Sequence, residues 1–312
     1  MNWTPRILVT GAGGFVGGWM TRRLAAALPS AEVLPVGYVG DGGQSLDVTS
    51  AAEVDAVVAR FRPTAVIHLA GVSSLVQARA ERRAAWDVNL FGTMNLAEAV
   101  MRHVPEARFV QAGSSEVYGG SFNAAGGMVD EGTPLAPLNP YATTKASADL
   151  LLGEMAASGL QAIRFRPFNH TGPGQSTAFA VSSFAAQIAA IEHGDREPVL
   201  RVGNLDARRD FLDVRDVVDA YLLATTAPSL PRGVVLNLAS GEPRRIGDIL
   251  DALLRLSGVP IRVERDLALM RPSDVPVTAG NAARARALLG WCPCVPWATT
   301  LRDVLEAHRR RG

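Results

Sequence analysis

The chain has 312 residues, 48% of them hydrophobic and 20% charged, and a net charge of +1. That length and apolar content support one large core and a second smaller one without a long linker. Acids and bases are interspersed, without the basic stripe that tracks nucleic acid or an anionic membrane, and no run of about 18 uninterrupted apolar residues exists to span a bilayer.

Taken from the N-terminus, the apolar run 7–20 behind Arg6 superficially resembles a secretion signal. It is broken by Gly11, Gly13, Gly14, Gly17 and Gly18 and has no cleavage-site pattern, so a cytoplasmic protein is expected. Strands are predicted over 6–10, 32–37, 64–69, 108–112 and 161–166, alternating with helices near 15–28, 51–61, 89–103 and 141–157. This is the pattern of a parallel sheet covered on both faces. Ser50 and Glu53 stand in capping-box spacing at the start of the second helix, and Pro63 follows its end. Beyond Arg166 the pattern loosens into a loop at 171–175, helices near 182–193, 217–225, 246–256, 281–289 and 299–308, and strands at 199–202 and 234–238. There is no internal repeat. The expected architecture is an α/β doubly wound Rossmann domain over 1–166, with return segments at about 205–240, and a smaller mixed α/β substrate lobe from 167–204 and 241–312. Cys292 and Cys294 are too few for a structural zinc site and read as ordinary thiols, and no metal is expected.

The first strand runs directly into Gly11, Gly14 and Gly17. Glycines there allow a tight turn, close approach of a pyrophosphate, and helix packing on the sheet; by itself the same pattern also fits a plain strand-to-helix turn. Asp47 and Val48 suit an adenine, one as a carboxylate acceptor and the other as an apolar wall. The small residues of Leu69-Ala70-Gly71 leave room for the adenosine half, whereas His68, inside an apolar strand, reads as a core histidine. Where an acid would select a free 2′-hydroxyl and an arginine a 2′-phosphate, the chain offers Gly37 and Tyr38, with Asp41 a little late, so the expected cofactor is NADP or NAD.

Lys145 is the only lysine in the sequence, and it stands four residues after Tyr141 at a helix start, so the two share one face. Composition has driven other cationic positions to arginine, and the exception belongs where a compact ammonium is needed. Ser114 closes the fourth strand, at the sheet edge where α/β enzymes place their chemistry. A tyrosine exchanging a proton with a ketone or hydroxyl needs its pKa brought down from about 10, which Lys145 is expected to do, with Ser114 orienting the reacting oxygen.

The Gly11 to Gly17 turn, Ser114-Ser115-Glu116-Val117-Tyr118-Gly119 and the Tyr141 to Lys145 spacing together resemble the extended short-chain dehydrogenase/reductases. Downstream, Phe168-Asn169-His170-Thr171-Gly172-Pro173-Gly174-Gln175, the segment from Arg209 to Asp216, and Arg271-Pro272-Ser273-Asp274-Val275-Pro276 are similar to those of the GDP-4-keto-6-deoxy-D-mannose reductases. Those enzymes make GDP-D-rhamnose and are close to the GDP-mannose 4,6-dehydratases; the similarity runs over about 7–308. It implies NAD(P)H-dependent reduction of a 4-keto GDP-sugar, with Ser114, Tyr141, Lys145 and Glu116 as the catalytic set. Cofactor contacts are implied at Gly11, Gly14, Phe15, Val16, Gly17, Asp47, Val48, Leu69, Ala70 and Gly71, and further at Asn89, Tyr141, Lys145 and Phe168. For the substrate, Arg209 and Arg271 would hold the diphosphate, Asn169 would hydrogen-bond it and Asp274 would accept from ribose hydroxyls. Ser74, Ser115, Glu116 and Val181 complete the implied substrate set, and the loop 171–178 would cover the nucleotide. A homodimer through helices such as 89–103 and 141–157 is also implied. Several alternatives remain. Arg209 with Asp210, or Arg271 with Asp274, could be internal ion pairs. Glu116 occupies the position of the dehydratases' carbon-5 base, which keeps a 4,6-dehydratase open beside a 4-epimerase and a non-catalytic dinucleotide sensor.

Overall fold

The computed structural model describes residues 4–37, 44–269 and 275–310. Uninterrupted apolar runs such as Ile7, Leu8 and Val9, all fully buried, leave no solvent-facing side to a strand and so demand helices on both faces of a sheet. Seven parallel strands meet that demand in the order Val234–Leu238, Gln161–Pro167, Arg108–Ala112, Ala65–His68, Arg6–Thr10, Glu32–Gly37, Gln44–Ser45. One face is closed by helices Ala51–Phe61, Thr93–His103 and Pro140–Ala157, whose Val54, Val58, Leu96, Val100 and Leu152 form a single cluster with Leu8, Val66 and Phe109. The other is closed by Phe15–Ala27 and Val214–Thr226 through Met20, Leu24, Val217 and Tyr221. The order in which successive strands are added to the sheet reverses between Arg6–Thr10 and Ala65–His68. The crevice outside the carboxyl ends of these strands is therefore where a dinucleotide fits.

The expected helices near 15–28 and 51–61 are Phe15–Ala27 and Ala51–Phe61. At the second, Ser50 accepts from Glu53 N at 3.4 Å, but the Glu53 carboxylate accepts from Asp47 N at 3.3 Å rather than closing a reciprocal box. The expected helix at 89–103 is two objects, a π-helical turn Asp87–Gly92 and the α-helix Thr93–His103, preceded by short helices Leu75–Ala80 and Arg82–Trp86.

A smaller sheet orders Pro243–Arg245, Arg208–Asp213, Val277–Gly280 and Met128–Val129, with Asn169–Thr171 also paired to Arg208–Asp213. Helices Ala180–Glu192, Ile246–Leu254 and Trp297–Arg309 build a separate core there from Phe184, Ile188, Leu250, Leu253, Leu301 and Leu305. Val234–Leu238 returns to the edge of the large sheet, whereas Arg208–Asp213 belongs to the small one. Among the described residues, no helix is long and apolar enough to cross a membrane.

Candidate active site

The glycine turn is a cradle that side chains would fill. Gly11 has φ +69°, and a Cβ there would lie 2.6 Å from Ala70 N; one on Gly17 would lie 2.1 Å from Gly11 O. Gly14 caps helix Phe15–Ala27 with no side chain on the first-turn N–H groups and no acid in that turn, so those donors face the crevice unneutralised. Phe15 and Val16 follow directly. Val48 is buried against Gly92, where a Cβ would come within 2.7 Å of Val48 Cγ2, and Asp47 Oδ1 accepts from Thr49 N at 2.9 Å. These residues fit a dinucleotide, with Leu69 and Ala70 forming the wall opposite Gly11. Tyr38 and Asp41 lie outside the described residues.

His68 is a core histidine: 1% exposed, its ring nitrogens bonded to Thr10 Oγ1 at 2.7 Å and Thr93 Oγ1 at 3.0 Å. Burial, aided by the Lys145 charge, pushes its pKa down to about 3 and keeps it neutral.

Asn139 starts the helix that carries Tyr141 and Lys145, its Oδ1 accepting from Ala142 N at 2.8 Å, with Pro140 at the first position. The Ser114 hydroxyl acts on the Tyr141 phenol, holding its pKa down; Ser114 is 7% exposed and caps the turn Ser115–Tyr118 by accepting from Glu116 N at 3.1 Å. Lys145 Nζ donates to Ala112 O at 3.0 Å, and a Cβ on Gly71 would sit 3.2 Å from it. Burial lowers the Lys145 pKa to about 8. The expected lowering of the tyrosine is not found in the protein alone. Burial, reinforced by the Glu116 charge, pushes Tyr141 up to about 12 against the opposing Ser114 hydroxyl, and the Lys145 ammonium is bonded to the strand end at Ala112 O. At neutral pH Tyr141 is thus a protonated phenol, the form that can give a proton away.

Glu116 Oε2 accepts from Asn139 Nδ2 at 3.3 Å, and its charge acts on Arg209, whose pKa burial lowers. Arg209 donates to Arg208 O at 2.8 Å and Pro276 O at 3.3 Å. It does not pair with Asp210. Strand alternation sends that fully buried carboxylate to the other face, where it accepts from Ser240 N and Oγ, Gly241 N and Gly280 N. Asn169 pairs beside Phe211 on the neighbouring strand, and Ser115 is buried next to Ser114. Ser74 caps helix Leu75–Ala80, accepting from Gln77 N at 3.3 Å.

Two of the expected contact residues also pack into the hydrophobic cores. The Phe168 ring, 1% exposed, packs edge-on against Phe122, and its N–H donates to Leu238 O; Val181, 2% exposed, belongs to the lobe core. Arg271 and Asp274 lie outside the described residues. Asn89 is inside the site but committed: it accepts from Val72 N at 2.8 Å and donates to Val72 O and to Thr144 Oγ1 at 2.9 Å, tying the Gly71 turn to the Lys145 helix. The loop at 171–175 rests on the dinucleotide helix, with Trp19 Nε1 donating to Pro173 O at 3.0 Å and His170 stacked on Phe15.

Sequence reasoning missed Asn139, which an N-cap search before Pro140 would have found. The π-helical turn that places Asn89 had no sequence signal.

The sequence profile of the NAD dependent epimerase/dehydratase family matches residues 7–239. The chain belongs to this family. With that membership it is a nicotinamide-dependent enzyme. It is 35% identical to the GDP-6-deoxy-D-mannose reductase of Pseudomonas aeruginosa over 99% of this chain and 98% of that protein. Among solved structures it resembles RMD from Pseudomonas aeruginosa complexed with NADPH, with TM-score 0.89 and 32% identity over 99% of this chain and 100% of that one. It also resembles the Thermus thermophilus UDP-glucose 4-epimerase complex with NAD, with TM-score 0.80 and 26% identity over 97% and 99% of the two chains.

Proposed function

We propose that the protein reduces the 4-keto group of GDP-4-keto-6-deoxy-D-mannose to give GDP-D-rhamnose, using NADH or NADPH. The observation that carries this reading is the end-to-end similarity to a GDP-6-deoxy-D-mannose reductase; the pair of Ser114 and a protonated Tyr141 is its chemical support. The dinucleotide supplies the hydride that reaches carbon 4. Ser114 donates a hydrogen bond to the carbonyl oxygen and orients it. Tyr141 transfers its phenolic proton to that oxygen as negative charge develops there, which balances the conversion of ketone to alcohol. Once the oxygen is protonated, Ser114 is released to turn its one O–H to the tyrosinate left behind, and the buried Lys145 ammonium on the same helix face favours that anion through space. Arg209 holds the diphosphate. Pairing of two copies through helices Thr93–His103 and Pro140–Ala157 belongs to the same proposal, supported by Leu150 on the second helix, which is 63% exposed, as does a cytoplasmic location.

Glu116, close enough to raise the Tyr141 pKa, favours a second reading, a 4,6-dehydratase in which this carboxylate removes the carbon-5 proton; a 4-epimerase would share its redox balance. A dehydratase or an epimerase returns the hydride it takes, whereas a reductase consumes one reduced cofactor per product. Purified protein with GDP-4-keto-6-deoxy-D-mannose is expected to consume NADH or NADPH stoichiometrically, followed by nicotinamide absorbance. Inertness there, with conversion of GDP-mannose to a 4-keto sugar and no net cofactor change, would overturn the reductase reading.

Arg209→Ala is expected to raise KM for the nucleotide-sugar roughly tenfold or more, the worth of one charged hydrogen bond, while KM for the dinucleotide stays near wild type. Equal rises in both would assign Arg209 to the fold.

A further inference from the structure

The first half of the helix that carries Tyr141 and Lys145 buries mostly small side chains, Ala142, Ala146 and Ala148 among them. Alanines make shallow knobs, and shallow knobs define helix rotation and axial position poorly. The strong constraint is polar. Asp149, one turn beyond Lys145 and 3% exposed, receives two parallel hydrogen bonds from Arg166, Nε to Oδ2 and Nη2 to Oδ1, both 2.9 Å. Arg164 Nη1 adds a third at 2.9 Å. Arg166 Nη1 also donates to the Tyr118 hydroxyl at 3.0 Å, and that hydroxyl donates to Asn237 Oδ1 at 2.7 Å. Tyr118 ends the turn Ser115–Tyr118 that Ser114 caps. One continuous buried network thus joins the helix of the proton donor to the turn of the orienting serine.

A buried ion pair is a poor device for stability alone, since apolar residues of similar volume often serve as well or better; what a bidentate pair adds is a defined geometry. We propose that Asp149, Arg166 and Tyr118 are positioning residues, a clamp that sets where the Tyr141 phenol stands relative to the Ser114 hydroxyl. The proposal rests on the roles given above to Ser114 and Tyr141. Residues 141, 145 and 149 follow one another at one-turn spacing on a single helix face, so a rotation at Asp149 is passed directly to the phenol. The clamp acts on chemistry rather than on binding, because none of its three members belongs to the glycine cradle or the Arg209 face.

The test uses Tyr118→Phe, Arg166→Lys and Asp149→Asn. Tyr118→Phe keeps the ring and its edge contact with Phe122 but removes the hydroxyl that joins the two halves, so it carries the test if either charge variant fails to fold. A displacement on the order of 1 Å can cost about a hundredfold in rate, so kcat is expected to fall about tenfold in Tyr118→Phe and about a hundredfold in Arg166→Lys, with both KM values within about twofold of wild type. A lower melting temperature with unchanged kcat per folded molecule would make the network merely structural and overturn the proposal. Crystal structures of the variants supply a readout that needs no substrate: the distance between Ser114 Oγ and the Tyr141 hydroxyl is expected to differ from wild type by on the order of 1 Å. If it persists unchanged in Tyr118→Phe and Arg166→Lys, the clamp is wrong, whatever the enzyme reduces. Failure of the wild type to turn over the GDP-ketosugar would instead count against the function proposed above.

Discussion

Lys145→Arg is expected to lower kcat by about a thousandfold, within the range that proton-transfer machinery contributes, while leaving the melting temperature close to wild type. The ammonium is 6% exposed and lodged between Ala112 O and the backbone of Gly71, where even a methyl group would approach it to 3.2 Å. A planar guanidinium needs more room than that, and its charge would be displaced from the phenol and from the crevice. The pH dependence separates charge from shape. Burial lowers the Lys145 pKa to about 8, so the ammonium is present below that pH and lost above it. Wild-type kcat should therefore fall on a basic limb centred near pH 8, and the arginine variant, charged throughout, should show a low rate without that limb. Near-normal turnover in Lys145→Arg would remove the role assigned to the lysine.

Gly17→Ala is expected to weaken dinucleotide binding about a hundredfold, measured by fluorescence of the reduced nicotinamide, since forced overpacking costs about 1–3 kcal/mol and here falls on the binding turn itself. The new methyl would lie 2.1 Å from Gly11 O and 2.7 Å from Ala12 Cα. Both are backbone atoms of the phosphate-facing turn, so relief requires moving the turn. The neighbouring Gly18 supplies the control. A Cβ there meets only the Arg22 guanidinium at 3.6 Å, an ordinary contact, and alanine favours the helix by up to about 1 kcal/mol. Gly18→Ala should bind the dinucleotide normally and melt no lower than wild type. Equal behaviour of the two variants would show that the cradle does not approach the cofactor.

The clamp and the cradle differ in how they can be seen. Gly11, Gly14 and Gly17 are spaced within one turn, and Tyr141 with Lys145 within one helical turn, so their geometry follows from local chain periodicity. Asp149, Arg166 and Tyr118 become neighbours only when helix, strand and turn assemble, and each by itself reads as an ordinary helix acid, strand arginine or buried aromatic. The same holds for Asp210. Its place in a charge-rich motif beside Arg209 suggests an ion pair, yet its partners are the Ser240 hydroxyl and backbone N–H groups of Ser240, Gly241 and Gly280.

By itself the sequence determined the parallel sheet, because its strands are continuous apolar runs that only a doubly covered sheet can bury, and it determined the glycine turn and the Tyr141–Lys145 pair, because both are set by spacing along the chain. The tertiary structure decided the rest. The short strands Asn169–Thr171, Met128–Val129 and Val277–Gly280 pair with segments far away in the chain, and such brief stretches carry little periodicity of their own. Phe168 and Val181 lie within or beside motifs that pointed to ligands, and only the packing shows that each also belongs to a hydrophobic core. Protonation was decided there too: the charge state of Tyr141 and Lys145 depends on burial and on the distance to Ser114, Glu116 and Ala112, none of which a one-dimensional pattern contains.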